Sequence, residues 1–186
     1  MKKKIIICSI LLNFIVSATC HAEVGLEYQI KAGFLYKFLF FTQWPDNVFA
    51  ENDSSILIGI TGQDFFKDIF KEIESDPVNG KKLIIKKFGE NTSPKSLGKC
   101  HVLFITSTFG AKIPDLIKSL KTYPVVTVSE IDGFLQMGGM INFVKKKEKV
   151  AFEINQKAAL EAGIKFRSKL LRVATRVIGK SYDRGK

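Results

Sequence analysis

Apolar residues near the start of the chain recur with the period of a helix. Within 23–41, Ile30, Phe34, Phe38 and Phe41 follow one another at spacings of four, four and three residues. This spacing places them on one side of a helix. The segment is apolar nearly all round, so we expect the helix to be buried against a sheet.

Four short segments further along are typical of strands buried in a sheet. They lie at 56–60, 82–88, 100–106 and 125–128. Helices are predicted between some of these strands, at 65–73 with Asp64 as its N-cap and at 114–121. The alternation of strand and helix predicts an α/β fold in which a largely parallel central sheet carries helices on both faces.

An antiparallel hairpin and a helix are predicted to follow that sheet. The apolar segments 140–144 and 150–155 flank five residues, 145–149, of which four are lysines. Two strand-like segments joined by a short polar connection are typical of a hairpin. The fold class is therefore α/β with a C-terminal antiparallel hairpin and helix.

The register of this hairpin follows from its two faces. When Phe143 is paired with Phe152, the apolar side chains of both strands share one face of the hairpin. The same register places Asn142 opposite Glu153 on the other face. A shift by one residue would oppose Asn142 to Phe152, so we reject that pairing.

Two helices are predicted after the hairpin. The first covers 156–162 with Asn155 as its N-cap, and the second covers 169–178 with Ser168 as its cap. One face of the second helix is basic, and it is a candidate contact for an acidic partner, although a solvated basic face is the other interpretation. That face carries Lys169, Arg172 and Arg176.

The N-terminal segment has the pattern of a secretory signal peptide. Lysines at positions 2–4 precede an apolar stretch over 5–16, and small residues then lead to Ala22. This order predicts a signal peptide over residues 1–22 and a single α/β domain over 23–186. An uncleaved membrane anchor is disfavoured because the apolar stretch is shorter than the roughly 20 residues of a membrane span. Lipid attachment at Cys20 is disfavoured by the residues before it.

Charge is the feature of the composition that bears most on function. The 186 residues include 29 Lys and Arg against 18 Asp and Glu, a net charge of +11. Removal of residues 1–22 would leave 26 basic and 18 acidic residues, a net charge of +8. A basic surplus favours an anionic membrane surface or an acidic protein surface as partner. Export from the cytoplasm argues against nucleic acid as the partner.

The sequence offers no catalytic, metal-binding or cofactor-binding constellation. After cleavage one cysteine and one histidine would remain, Cys100 and His101. As neighbours on a strand they point to opposite faces, and a buried structural role is expected for Cys100. Residues 174–181 loosely match a phosphate-binding loop, but they end a predicted helix instead of joining a strand to a helix.

A candidate polar network lies on the second face of the hairpin. It consists of Asn142, Glu153 and Asn155. These side chains could form a polar binding spot, while ordinary cross-strand hydrogen bonding is the other interpretation.

A set of short motifs, in this order, resembles the YfiR-like family of bacterial periplasmic proteins over almost the whole of 23–186. The motifs are 31–38 (KAGFLYKF), 44–45 (WP), 100–105 (CHVLFI), 133–134 (GF), 138–143 (GGMINF), 152–155 (FEIN), 162–163 (AG) and 168–171 (SKLL).

The resemblance implies a periplasmic α/β domain that often forms a homodimer. Characterised members of the family repress a membrane-bound diguanylate cyclase by binding its periplasmic sensor domain, which lowers cyclic di-GMP and biofilm formation. The chain departs from its relatives at Arg167, where they tend to have a second serine. Some members carry disulfides linked to redox sensing, and a mature chain whose one cysteine is Cys100 puts that mechanism in doubt.

Two functions of different classes are therefore expected. The first is a non-enzymatic regulator that binds a membrane protein, and the lack of catalytic groups supports it. The second is a periplasmic small-molecule-binding or sensor module of another signalling system, in which the loop 131–139 and the strand ends hold a ligand. An enzyme ranks third, since no nucleophile with an adjacent base is visible.

Overall fold

A computed structural model of the chain describes residues 25–49, 55–66, 68–72 and 77–179. The predicted signal peptide, residues 1–22, lies outside them.

A seven-stranded sheet forms the centre of the described structure. Its strands are β2 (Ser55–Thr61), β3 (Lys82–Phe88), β4 (Val102–Ile105), β5 (Val126–Ser129), β6 (Ile141–Lys146), β7 (Lys149–Asn155) and β9 (Arg176–Ile178). They lie in the spatial order β3-β2-β4-β5-β6-β7-β9, and all neighbours are parallel except β6 and β7, which are antiparallel. The short strands β1 (Thr42–Gln43) and β8 (Lys165–Phe166) pair separately with each other.

Helices cover both faces of this sheet, so the predicted α/β fold class is confirmed. The helices are α1 (25–41), α2 (Pro94–Leu97), α3 (Ile113–Leu120), α4 (Gln156–Glu161) and α5 (Ser168–Val173). Leu35, Phe38 and Leu39 of α1 are fully buried in the core on one face, while the apolar side of α3 belongs to the core on the other. Helix α1 is therefore a core element, as its periodicity predicts.

The hairpin has the predicted register. Phe143 is opposite Phe152, and Asn142 is opposite Glu153. Both phenylalanines are buried and contact Phe34 of α1 at ring-centroid distances of 6.0 and 5.3 Å. Helix α1 therefore packs on the apolar face of the hairpin.

Helix α4 begins where the sequence predicts. The side-chain Oδ1 of Asn155 accepts a hydrogen bond of 3.1 Å from the backbone N–H of Ala158, which is the bond expected of an N-cap. The helix ends at Glu161, and Gly163 follows with φ of +76°, a conformation that glycine adopts without strain.

The predicted final helix over 169–178 is wrong in its second half. Helix α5 ends at Val173, and 176–178 form the strand β9, which lies parallel to β7. The backbone N–H and the hydroxyl of Thr175 both donate to the carbonyl of Phe152, at 2.9 and 3.0 Å. The chain leaves the helix because β7 offers a sheet edge with unpaired backbone groups, and pairing satisfies them.

The predicted helix over 65–73 is also not formed as expected. Among the residues of this segment that the structure describes, a 3₁₀ turn covers Ile69–Glu72, and Asp64 Oδ1 accepts a hydrogen bond of 2.9 Å from the N–H of Phe66, which is not helical. Phe65 and Phe66 both pack on the ring of Tyr28, at centroid distances of 5.1 and 5.2 Å. This tertiary contact of two consecutive side chains replaces the helical geometry.

Cys100 has the buried position that the sequence predicts. Its side chain belongs to the core that includes α2 and α3 and is 2% exposed. Burial raises the pKa of its thiol to about 12. The reactive thiolate is therefore scarce at neutral pH, which fits an inert structural cysteine.

Candidate functional site

An apolar groove of about 370 Å³ lies between α1 and α5 on the surface of the described structure. Its apolar lining comes from three elements, namely Phe34, Phe38 and Phe41 of α1, Phe152 of β7, and Leu170 and Val173 of α5. Val173 is 66% exposed although it is apolar. Phe34 and Phe41 are half-buried, whereas Phe38, Phe152 and Leu170 are buried. An apolar wall that stays partly open to water marks a candidate interaction site.

The helical repeat of α1 explains why this groove has an apolar wall. Ile30, Phe34, Lys37 and Phe41 recur at spacings of four, three and four residues and so lie on one side of the helix. The opposite side, with Leu35 and its neighbours, is buried in the core. Helix α1 therefore presents a second apolar stripe outward, and its Ile30 is exposed.

The groove and an adjoining cavity are lined by basic side chains. Lys37, Lys169 and Arg172 line the groove. The cavity, of about 690 Å³, shares Phe41 and Lys169 with the groove and adds Lys165 and Arg167. No acidic residue lines either space, and none of these five cations forms a salt bridge within the described part of the chain. We refer to the groove and the cavity together as the basic groove.

The structure separates the three residues predicted to form a basic face. Lys169 and Arg172 lie on α5 and line the basic groove. Arg176 lies on β9, where its guanidinium donates to the carboxylate of Glu153 at 2.9 and 2.5 Å. This hydrogen bond and the charge of Glu153 raise the pKa of Arg176. The predicted single helical face is wrong because its helix ends before Arg176.

The predicted polar residues of the hairpin have three different surroundings. Glu153 pairs with Arg176, and Asn155 caps α4 while its Nδ2 donates to the carbonyl of Leu135 at 3.0 Å. Asn142 is buried, and within the described residues its Oδ1 has no hydrogen-bond partner. They do not form one network there, and the contacts of Asn155 favour a structural role for it.

Some residues of the basic groove escape an analysis by sequence alone. Lys37 interrupts an apolar helical stripe, which is a local signal that could have pointed to a functional surface. Lys165 and Arg167 come from the segment around β8, and only the pairing of β8 with β1 brings them beside α1. The sequence marks Arg167 solely as a difference from its relatives.

A second charged cluster fixes the N-terminal end of α1. The Nζ of Lys31 contacts the carboxylates of Glu27 and Glu130, and the hydroxyl of Tyr28 donates to Glu130 at 2.6 Å. Lys145 of the hairpin also pairs with Glu27, at 2.9 Å. The two lysines and two glutamates balance in charge. This arrangement anchors α1 to the sheet.

No group of three or more His, Cys, Asp or Glu side chains among the described residues could hold a metal ion. No helix in the same part of the chain is both long and apolar enough to cross a membrane.

A family model described as YfiR/HmsC-like matches residues 28–175 of the chain. No curated protein matches the chain.

Two solved structures are similar in fold. One is a conserved domain protein from Vibrio cholerae O1 biovar El Tor, with 14% identity, a TM-score of 0.50, and coverage of 69% of this chain and 56% of that protein. The other is the ABC domain in complex with L-Trp from Streptococcus pneumoniae, with 16% identity, a TM-score of 0.50, and coverage of 66% and 55%. The chain spans little more than half the length of these two proteins, and at such identities the likeness shows the fold alone.

Proposed function

Since the chain belongs to the YfiR/HmsC-like family, we propose that it represses a membrane-bound diguanylate cyclase by binding the periplasmic sensor domain of that enzyme. Members of this family are periplasmic regulators rather than enzymes. A repressor of this kind needs only a surface that binds the inactive state of its partner more tightly than the active state.

The basic groove is the observation that supports contact with a protein partner. It combines an apolar lining, of which Val173 and Leu160 are exposed and gain from being covered, with five cations that lack a salt bridge within the described residues. Buried apolar anchors supply most of the affinity of an interface, while charges around them select the partner and speed association. We therefore propose that the groove receives a segment of the sensor domain with a large apolar side chain and neighbouring acidic residues.

A second copy of the chain fits the basic groove less well. Two identical grooves would bring the same cations together, since a symmetric dimer apposes one patch to itself. A homodimer, which the family resemblance implies, would then use another surface.

Export is part of the same proposal. Residues 1–22 would act as a signal peptide that is cleaved after Ala22. The mass of the protein recovered from the periplasmic fraction should correspond to a chain that starts at Glu23. A protein that keeps Met1 and stays in the membrane fraction would contradict this proposal.

Deletion of the gene is expected to raise cyclic di-GMP, because an unrepressed cyclase makes more of it. The same deletion in a strain that lacks the candidate cyclase should leave cyclic di-GMP unchanged. If cyclic di-GMP does not rise in the first strain, the cyclase proposal fails. A module that senses a small molecule for another signalling system would then become the better proposal.

Complementation tests which surface carries the repression. The double variant Lys169→Glu and Arg172→Glu should fail to restore low cyclic di-GMP, and its affinity for the purified sensor domain should fall at least about tenfold. The control Lys146→Glu changes the charge of an exposed lysine on the hairpin and should behave as the wild type. Binding should also weaken with salt, since exposed charges more than about 8 Å apart are screened at physiological ionic strength. If Lys146→Glu loses as much repression and as much affinity as the double variant, the basic groove is ruled out as the partner-binding surface.

A further inference from the structure

A cleft of about 490 Å³ lies between α3 and α4 and is bounded at one end by residues of the loop 131–139. Ile117, Leu120, Leu135 and Met140 line it with buried apolar side chains, and Met137 is 38% exposed. The volume is in the range of small-molecule sites, which are concave and mostly apolar with a few polar groups. The basic groove does not share any of these residues.

Cations are the main polar groups around this cleft. Lys118, Lys121 and Lys157 line it, and Glu161 is the one acidic residue among the described residues of its lining. The carboxylate of Glu161 is 3.1 Å from Nζ of Lys121 and 4.0 Å from Nζ of Lys157. Lys118 makes no salt bridge with any residue that the structure describes. An apolar surface with a surplus of positive charge suits a molecule with an apolar body and one anionic group.

The wall of the cleft is held in place by contacts of its own. Asn155 links the two sides, because its Nδ2 donates to the carbonyl of Leu135 while its Oδ1 caps α4 at Ala158. Gly139 lies against the ring of Phe134 so closely that a Cβ there would be 2.2 Å from a ring carbon. These contacts attach the loop to Asn155 and to the ring of Phe134 at the wall of the cleft.

Helix α4 separates this cleft from the basic groove. Lys157, Ala158 and Glu161 face the cleft, whereas Gln156 and Leu160 line the cavity of the basic groove. The helix has six residues and one buried anchor, Ala159. A shift of such a short helix would alter both spaces together.

We propose that the cleft between α3 and α4 is an effector site for an amphipathic anion, such as an aromatic or aliphatic carboxylate or sulfonate, and that its occupancy changes partner affinity through α4. The change in partner affinity rests on the proposed function, whereas the existence of the effector site does not. Binding at one site that changes affinity at the other must act equally in both directions.

The site itself can be tested with 1-anilinonaphthalene-8-sulfonate, an aromatic sulfonate whose fluorescence rises in apolar surroundings. The full mature chain is expected to bind it saturably, and Lys118→Glu should weaken that binding about tenfold. Lys146→Glu reverses the charge of another exposed lysine and should leave the binding unchanged. If Arg172→Glu abolishes the signal while Lys118→Glu has no effect, the probe occupies the basic groove and the proposal is overturned. Failure of saturable binding would also overturn it.

The coupling can be tested by measuring the affinity of the chain for the sensor domain with and without the same sulfonate. We expect a change of several-fold in the wild type that is lost in Lys118→Glu. An unchanged affinity in the wild type, or an equal change in Lys118→Glu, would overturn the coupling. A sensor domain that does not bind even without the sulfonate would overturn the proposed function and the coupling, while the fluorescence titration would still decide whether the site exists.

Discussion

Replacement of Phe152 by alanine is expected to lower the free energy of unfolding by about 3–5 kcal/mol. Phe152 is 2% exposed, and its ring meets those of Phe34 and Phe38 edge-on at centroid distances of 5.3 and 5.1 Å. Alanine would remove these contacts and leave a cavity beneath α1 that its neighbours can fill only in part. Urea unfolding of the purified protein measures the effect.

Two variants separate this packing effect from a general effect of mutation. Phe152→Leu keeps most of the apolar volume and should lose less stability than Phe152→Ala. Val173→Ala removes an apolar side chain that is 66% exposed, and it should change the free energy of unfolding by less than about 0.5 kcal/mol. A loss below about 1 kcal/mol in Phe152→Ala would show that the aromatic cluster is not closely packed.

Replacement of Lys31 by methionine is expected to cost about 3 kcal/mol of stability, because removing one partner of a buried ion pair leaves its counter-charge uncompensated. Lys31 is 4% exposed, and its Nζ contacts both Glu27 and Glu130. The loss should be at the lower end of the range for buried pairs, since Tyr28 still donates to Glu130 and Lys145 still pairs with Glu27. Methionine preserves most of the apolar stem, so the comparison isolates the charge.

The pH dependence of stability provides a second readout for the same variant. Burial alone raises the pKa of Glu27, but hydrogen bonds from Lys31 and Lys145 outweigh it and hold the pKa below its ordinary value of 4.5. A carboxyl group whose pKa is lowered by folding stabilises the protein above its ordinary pKa, and this contribution is lost as the pH falls through the folded-state pKa. The wild type should therefore lose stability below about pH 4.5, and Lys31→Met should lose less over the same interval. An equal or steeper loss in the variant would contradict the role given to Lys31.

The sequence predicts most elements of this fold because their signals are local. Phe143 and Phe152 define the hairpin register by themselves, since any shift by one residue mixes apolar and polar faces. Asn155 and Gly163 similarly mark the two ends of α4 through their own hydrogen bonding and backbone conformation. These features need no knowledge of distant segments.

The structure of 174–178 cannot be predicted in the same way. The segment has helical spacing of basic and apolar residues, and it becomes a strand because the edge of β7 is open beside it. That edge exists only once the sheet has formed. The basic groove likewise exists only in the folded structure, since α1, β7 and α5 contribute its apolar wall from three separated parts of the chain.

Strand β9 replaces part of the outer edge of β7 with a shorter edge, because it covers residues 153–155 of β7 and is itself three residues long. Without β9, the outer edge of β7 would be open over its whole length of seven residues, and a long open edge is a better template for a foreign strand than a short one. Glu153 and Arg176 are direct partners in the register of these two strands and are joined by an ion pair. A slip of β9 by one residue would place Arg176 beside Phe152 or Ile154 and break that pair. The ion pair between Glu153 and Arg176 thus favours pairing of these β7 residues with the chain's own strand over addition of a strand from a neighbour.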